Sequence, residues 1–157
     1  MPLGYTGVHF LNFNVGGWYF VPLPHFLTGR IIMTLLQYCN QEVESREIKV
    51  FGCNDCSNGS RLAYHFGHII KYAKDKRAWY VWDGKCWKRD IGRIYIVRMA
   101  VVVIRLIKEE VDLIDDTEWK KRHLKWANTS GSYNKINSMI RMARIIKGIS
   151  FTRGKNS

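Results

Sequence analysis

Cys53-x2-Cys56 and His65-x2-His68 bring two thiols and two imidazoles into one short stretch of the chain. Two thiolates and two imidazoles are a donor set that holds zinc tetrahedrally. The spacing is poor for that purpose. Eight residues lie between Cys56 and His65, where about a dozen are usual in finger modules. Two histidines three apart on a helix also converge less well when the loop before them is this short. The alternative is incidental thiols and solvent-facing histidines, and no metal or cofactor is assigned. Asp112, Asp115 and Asp116 could hold a divalent ion, but acids clustered between basic helices read more simply as a solvated turn. No phosphate-cradling Gly-rich loop ending in Gly-Lys-Ser/Thr, no Gly-x-Ser-x-Gly elbow and no His-Glu-x-x-His helix occurs. The residues present point away from catalysis.

Charge is the stronger functional signal. The 157 residues carry a formal net charge of +12, which favours a polyanionic partner, nucleic acid first. The excess is uneven. Residues 1–50 hold three basic and three acidic side chains, residues 51–116 twelve and nine, and residues 117–157 ten and one. Lys120, Lys121, Arg122 and Lys125 on one expected helix, with Lys135, Arg141, Arg144 and Lys147 on the next, would line a phosphate backbone if their outer faces adjoin. The competing reading is an ordinary solvated basic face. Trp119 and Trp126 are seven apart and are expected to point inward together, as core rather than as base-stacking groups.

Those side chains need elements to position them. Residues 1–24 are rich in aromatics, Gly and Asn and hold all three prolines, which suggests short extended pieces and turns. From Thr28 to Glu44 the apolar residues fall on helical spacing. Residues 45–60 read as a linker, with Ser57 or Asn58 capping a helix whose stripe is Leu62, Phe66, Ile69 and Ile70, and with Arg61 and His68 nearer its other side. A charged bend, Lys74-Asp75-Lys76-Arg77, leads on from Tyr72. Ile94 to Asp112 is β-branched at Val101, Val102 and Val103, yet its length predicts a helix with Arg98 and Arg105 on one side. It is too short and too interrupted to span a bilayer. Thr117 is a possible cap for a helix around Trp119 to Asn128. A last helix runs from Tyr133 to Lys147, with Ile136, Met139, Ile140, Ala143 and Ile146 inward and Gly148 placed to stop it. Residues 152–157 form a basic tail.

The most informative stretch lies between the bend and the long helix. Trp79-Tyr80-Val81-Trp82-Asp83-Gly84-Lys85-Cys86-Trp87 joins two aromatic runs through Asp-Gly, which suits a type I′ turn and so a β-hairpin. A two-residue loop pairs Trp82 with Lys85, Val81 with Cys86 and Tyr80 with Trp87, placing Tyr80, Trp82 and Trp87 on one face. A three-residue loop would shift the register. An isolated hairpin is only marginally stable, so this face is expected to anchor in the core, the alternative being a base-stacking platform.

From Ser57 onward the chain resembles the helical domain just upstream of the superfamily-three helicase in phage and plasmid primase-helicases related to the poxvirus replicative nucleoside triphosphatase. The resemblance is carried by Asn58-Gly59-Ser60-Arg61-Leu62, Phe66-Gly67, Tyr72, the hairpin with Asp90, Lys125-Trp126-Ala127, and Ser130-x-Ser132 before Ile136 and Met139. It implies a non-catalytic replication module, detached here from its helicase since neither helicase nor primase motifs occur, and it transfers no catalytic residues. The resulting expectation is a mainly α fold with one small β-hairpin. Its parts are an N-terminal extension at 1–56 with one helix, a helical domain at 57–150, and the tail from 151. The expected role is a cytoplasmic accessory in the DNA replication of a phage, plasmid or prophage. It would bind DNA, a replicative helicase-primase or both, without a membrane. The alternative is a protein-interaction or homo-oligomerisation module, or a degenerate remnant without DNA binding.

Overall fold

The computed structural model describes residues 10–14, 17–21 and 47–152, which fall in two units. In the first unit, β1 (Phe10–Asn14) and β2 (Gly17–Val21) pair antiparallel from Phe10 against Val21 to Asn14 against Gly17. That agrees with the extended pieces expected there. The helix expected over Thr28 to Glu44 lies outside the described residues.

In the second unit α1 spans Asp55–Phe66. Its cap is Asn54, not Ser57 or Asn58. Asn54 has an extended backbone and its side chain accepts from Ser57 N at 2.8 Å, satisfying one of the first turn's orphan donors. Leu62 and Phe66 are buried as expected, but the helix stops there, with Gly67 N donating to Ala63 O. Ile69 and Ile70 are therefore not part of its stripe. Ile70 opens β3 (Ile70–Ala73), which pairs antiparallel with β4 (Ala78–Trp82) across the expected charged bend. β4 pairs in turn with β5 (Trp87–Arg89). At the other edge β3 runs parallel to the short β6 (Ser150–Phe151). The unit is mainly helical with one small sheet of order β5-β4-β3-β6, two strands larger than the hairpin alone.

The hairpin register differs from the expectation. Trp82 pairs with Trp87, Val81 with Lys88 and Tyr80 with Arg89. The connection is thus the four residues Asp83 to Cys86, with Gly84 at φ 94°. Asp83 decides this. Its Oδ1 accepts from the backbone N–H of Lys85 at 2.9 Å and of Cys86 at 2.8 Å, an Asx-type turn that competes with the tight two-residue turn. Tyr80, Trp82 and Trp87 still share a face, because the pairing shifted by an even step. It is not the main core face, although Trp82 on it is half-buried and packs against the core. Trp79 and Val81 are 2% and 1% exposed, whereas Trp87 is 39% exposed.

The other three helices are α2 (Ile94–Glu110), α3 (Thr117–Ser130) and α4 (Tyr133–Ala143). Within the valine run of α2 only Val103 is fully buried, in phase with Ile96, Met99, Ala100, Leu106 and Ile107, while Arg98 and Arg105 face solvent. A helical period thus overrides β-branched propensity. Asp90 starts α2 from a distance, its carboxylate accepting from Tyr95 N at 3.2 Å and Ile96 N at 2.9 Å. Asp116, rather than Thr117, caps α3 by accepting from Trp119 N at 2.6 Å. Ser132 caps α4. α4 ends at Ala143, four residues earlier than expected, and passes through tight turns to Gly148 at φ 85°, which redirects the chain into β6.

α4 packs closely on α1 at Gly59. A Cβ there would stand 2.5 Å from Met142 Cβ and 2.9 Å from Ala143 N. The core joins Leu62 and Phe66 of α1, Trp79 and Val81 of the sheet, the buried stripe of α2, and Met139, Ile140 and Ala143 of α4.

Candidate nucleic-acid interface

A buried polar network fixes how the helices sit. Arg61, expected nearer the outer side of α1, is wholly buried. Its Nε donates to Glu110 Oε1 at 2.6 Å and its Nη2 to Glu110 Oε2 at 2.7 Å. Nη1 donates to Gly52 O and to Asn58 Oδ1, both at 2.9 Å. Glu110 also accepts from Phe51 N at 3.1 Å and lies 2.9 Å from His123 Nε2. Asn58 ties in α3, donating to Ser130 Oγ at 3.1 Å and accepting from Trp126 Nε1 at 3.0 Å. Charge and hydrogen bonds are thus satisfied together, the condition for burying an ion pair. One sequence signal for it exists. Glu110 stands three and four residues after Ile107 and Leu106, on the apolar stripe of α2.

The Cys/His quartet is dispersed. Cys53 Sγ lies 3.3 Å from His123 Nδ1, Cys56 is exposed, and His65 is 1% exposed rather than solvent-facing, edge-on to Tyr64. Among the described residues no three His, Cys, Asp or Glu side chains are grouped to hold a metal ion. Cys53, His123 and Glu110 stand in the order nucleophile, base, orienter. Burial, however, pushes the Cys53 thiol up from its ordinary value against the opposing pull of Arg61 and Arg122, which works against a reactive thiolate. Asp112, Asp115 and Asp116 are exposed, and Asp116 serves as a cap.

The basic residues separate into two sets. Arg122, Lys125, Arg141 and Lys147 are exposed and Lys120 is half-buried, none with an acidic partner among the described residues. Lys121 is exposed but paired with Glu118 at 2.9 Å. Lys135 instead pairs with Asp55 at 3.0 Å and lies 4.5 Å from the centre of the Trp126 ring. Arg144 stacks on Tyr72 at 4.4 Å. Trp119 does not point inward with Trp126. It is 41% exposed in the first turn of α3 and touches His123 edge-on.

The model of the D5 N-terminal-like family matches residues 59–151, more than half of the chain. The chain belongs to the D5 N-terminal-like family. Members are N-terminal-like domains of primase-helicases, which associates this chain with replication proteins. The matched span begins at Gly59 on α1 and ends in β6, taking in the sheet, α2, α3, α4 and all of the network but Phe51, Gly52, Cys53 and Asn58. No curated protein and no solved structure matches the chain. Among the described residues no helix is long and apolar enough to cross a membrane.

Proposed function

We propose that this family member is a non-catalytic accessory of DNA replication in a mobile genetic element, acting in the cytoplasm beside a replicative helicase-primase and binding DNA through α3 and α4. The observation that carries the reading is the set of exposed cations Arg122, Lys125, Arg141 and Lys147, without acidic partners among the described residues, in a segment with ten basic residues and one acidic. Lys135 and Arg144 contribute fold contacts instead, to Asp55 and Tyr72.

Cations of this kind neutralise phosphates and release counterions, so binding would be weakly dependent on sequence and steeply dependent on salt. The test is fluorescence anisotropy of labelled DNA, at several salt concentrations, with wild type and with R122E/K125E/R141E. Wild type is expected to bind at low salt. The variant should bind less tightly, with a salt slope smaller by about one for each phosphate no longer neutralised. Unchanged DNA affinity in a folded variant would sink the assignment of these helices, and no binding by folded wild type would favour a protein-interaction module.

A further inference from the structure

The sheet has two unlike faces. Ile70, Tyr72, Trp79 and Val81 point into the helical core. The register puts Lys71, Tyr80 and Arg89 in one row on the opposite face, Trp82 beside Trp87 in a second, and Ala73 beside Phe151 in a third. On that face the Trp82 and Trp87 rings are 5.5 Å apart, and those of Tyr80 and Phe151 6.4 Å. Trp87 and Phe151 are 39% and 41% exposed. A cleft of about 720 Å³ lies over them, lined among others by Tyr80, Trp87, Phe151, Lys71, Lys76 and Asp75.

Cations flank the rings at both ends of β4. Lys74, Lys76 and Arg77 are exposed on the turn before it and Lys85 on the loop after it, while Arg89 is exposed in the row of Tyr80. A five-residue strand separates the turn and the loop by about 17 Å. Asp75 is the acid in the cleft, and Asp83 is already paired with Lys88 at 2.6 Å. Large rings left in water between positive flanks match a ligand with flat apolar faces joined by anionic links.

We propose that this face is a stacking platform for single-stranded nucleic acid. Bases stack on Trp87, Tyr80 and Phe151 while phosphates meet the cations of the two flanks. A duplex keeps its bases enclosed and cannot use the rings, so the platform supplies strand-state selectivity that the basic helices lack. The inference rests on the nucleic-acid reading above but concerns a different surface.

The test compares the full-length chain with W87A/F151A, using anisotropy of a labelled oligodeoxythymidine of roughly 15 nucleotides and a duplex of the same length. Affinity for the single strand should fall on the order of tenfold or more, with duplex binding unchanged and W87F/F151Y close to wild type. A folded W87A/F151A with unchanged single-strand affinity overturns the platform and leaves the helical surface standing. Wild type that binds neither strand state overturns both. Should W87A/F151A fail to fold, photocrosslinking of wild type to a bromodeoxyuridine oligonucleotide decides the matter. Crosslinks at Tyr80, Trp87 or Phe151 support the platform, and crosslinks confined to α3 and α4 overturn it.

Discussion

Arg61 and Glu110 form a two-point ion pair, at 2.6 and 2.7 Å, with both side chains wholly excluded from solvent. They are 49 residues apart and join α1 to the end of α2. The same two side chains secure Phe51 and Gly52 to the helices.

Removing one partner should therefore be costly. Arg61→Met leaves a buried carboxylate without its counter-charge, and a loss of about 3–5 kcal/mol is expected, read from the urea midpoint of unfolding. R61M/E110L should recover only part of that loss, because Phe51 N, Gly52 O and Asn58 Oδ1 then lose partners as well. Full recovery would show that the pair does not organise Phe51 and Gly52.

Gly59→Ala sets two effects against each other. Alanine is the better helix former by about 1 kcal/mol, but its Cβ would sit 2.5 Å from Met142 Cβ and 2.9 Å from the Ala143 backbone. Backbone cannot yield as a side-chain tip does, so a net destabilisation of about 1–3 kcal/mol is expected. A stabilised variant in thermal unfolding would mean that α1 and α4 separate readily.

The Asp83 loop should loosen in acid. A hydrogen bond from Lys88, then those from the N–H groups of Cys86 and Lys85, hold the Asp83 carboxyl well below the usual range. The folded loop thus binds this proton less readily than the unfolded chain. Its contribution is full above about pH 4 and is lost as pH falls through the folded value. Lys88 is raised chiefly by its hydrogen bond to Asp83, so its contribution is full below about pH 10 and fades as pH rises through the folded value. Near-ultraviolet circular dichroism of the Trp82–Trp87 pair should weaken in acid, and D83N should already be weakened at neutral pH. A signal identical in both proteins across the titration would contradict the loop assignment.

Cys53 should be the slow thiol among the described cysteines. Its raised pKa and partial burial oppose thiolate formation, whereas Cys56 and Cys86 are exposed. Site-resolved mass spectrometry after brief alkylation at mildly alkaline pH should find Cys56 and Cys86 modified first. Preferential modification of Cys53 would reveal activation by His123.

Much of this molecule is legible in the sequence. The charge gradient, the helical period through Val101 to Val103, the Ser132 cap, the strands either side of Asp83-Gly84 and the family resemblance all follow from residues close together in the chain. Periodicity, capping and turn chemistry are local, so sequence alone determined them. What only the tertiary structure decided is the partner of each element. It set which face of the hairpin is covered, that β6 lies parallel to β3, that Arg61 meets Glu110, and that Lys135 and Arg144 are held by Asp55 and Tyr72 while Arg122, Lys125, Arg141 and Lys147 meet no acidic partner among the described residues. An arginine on a helix carries the same local signal whether water or a distant carboxylate meets it, and only the packing of remote segments chooses between them.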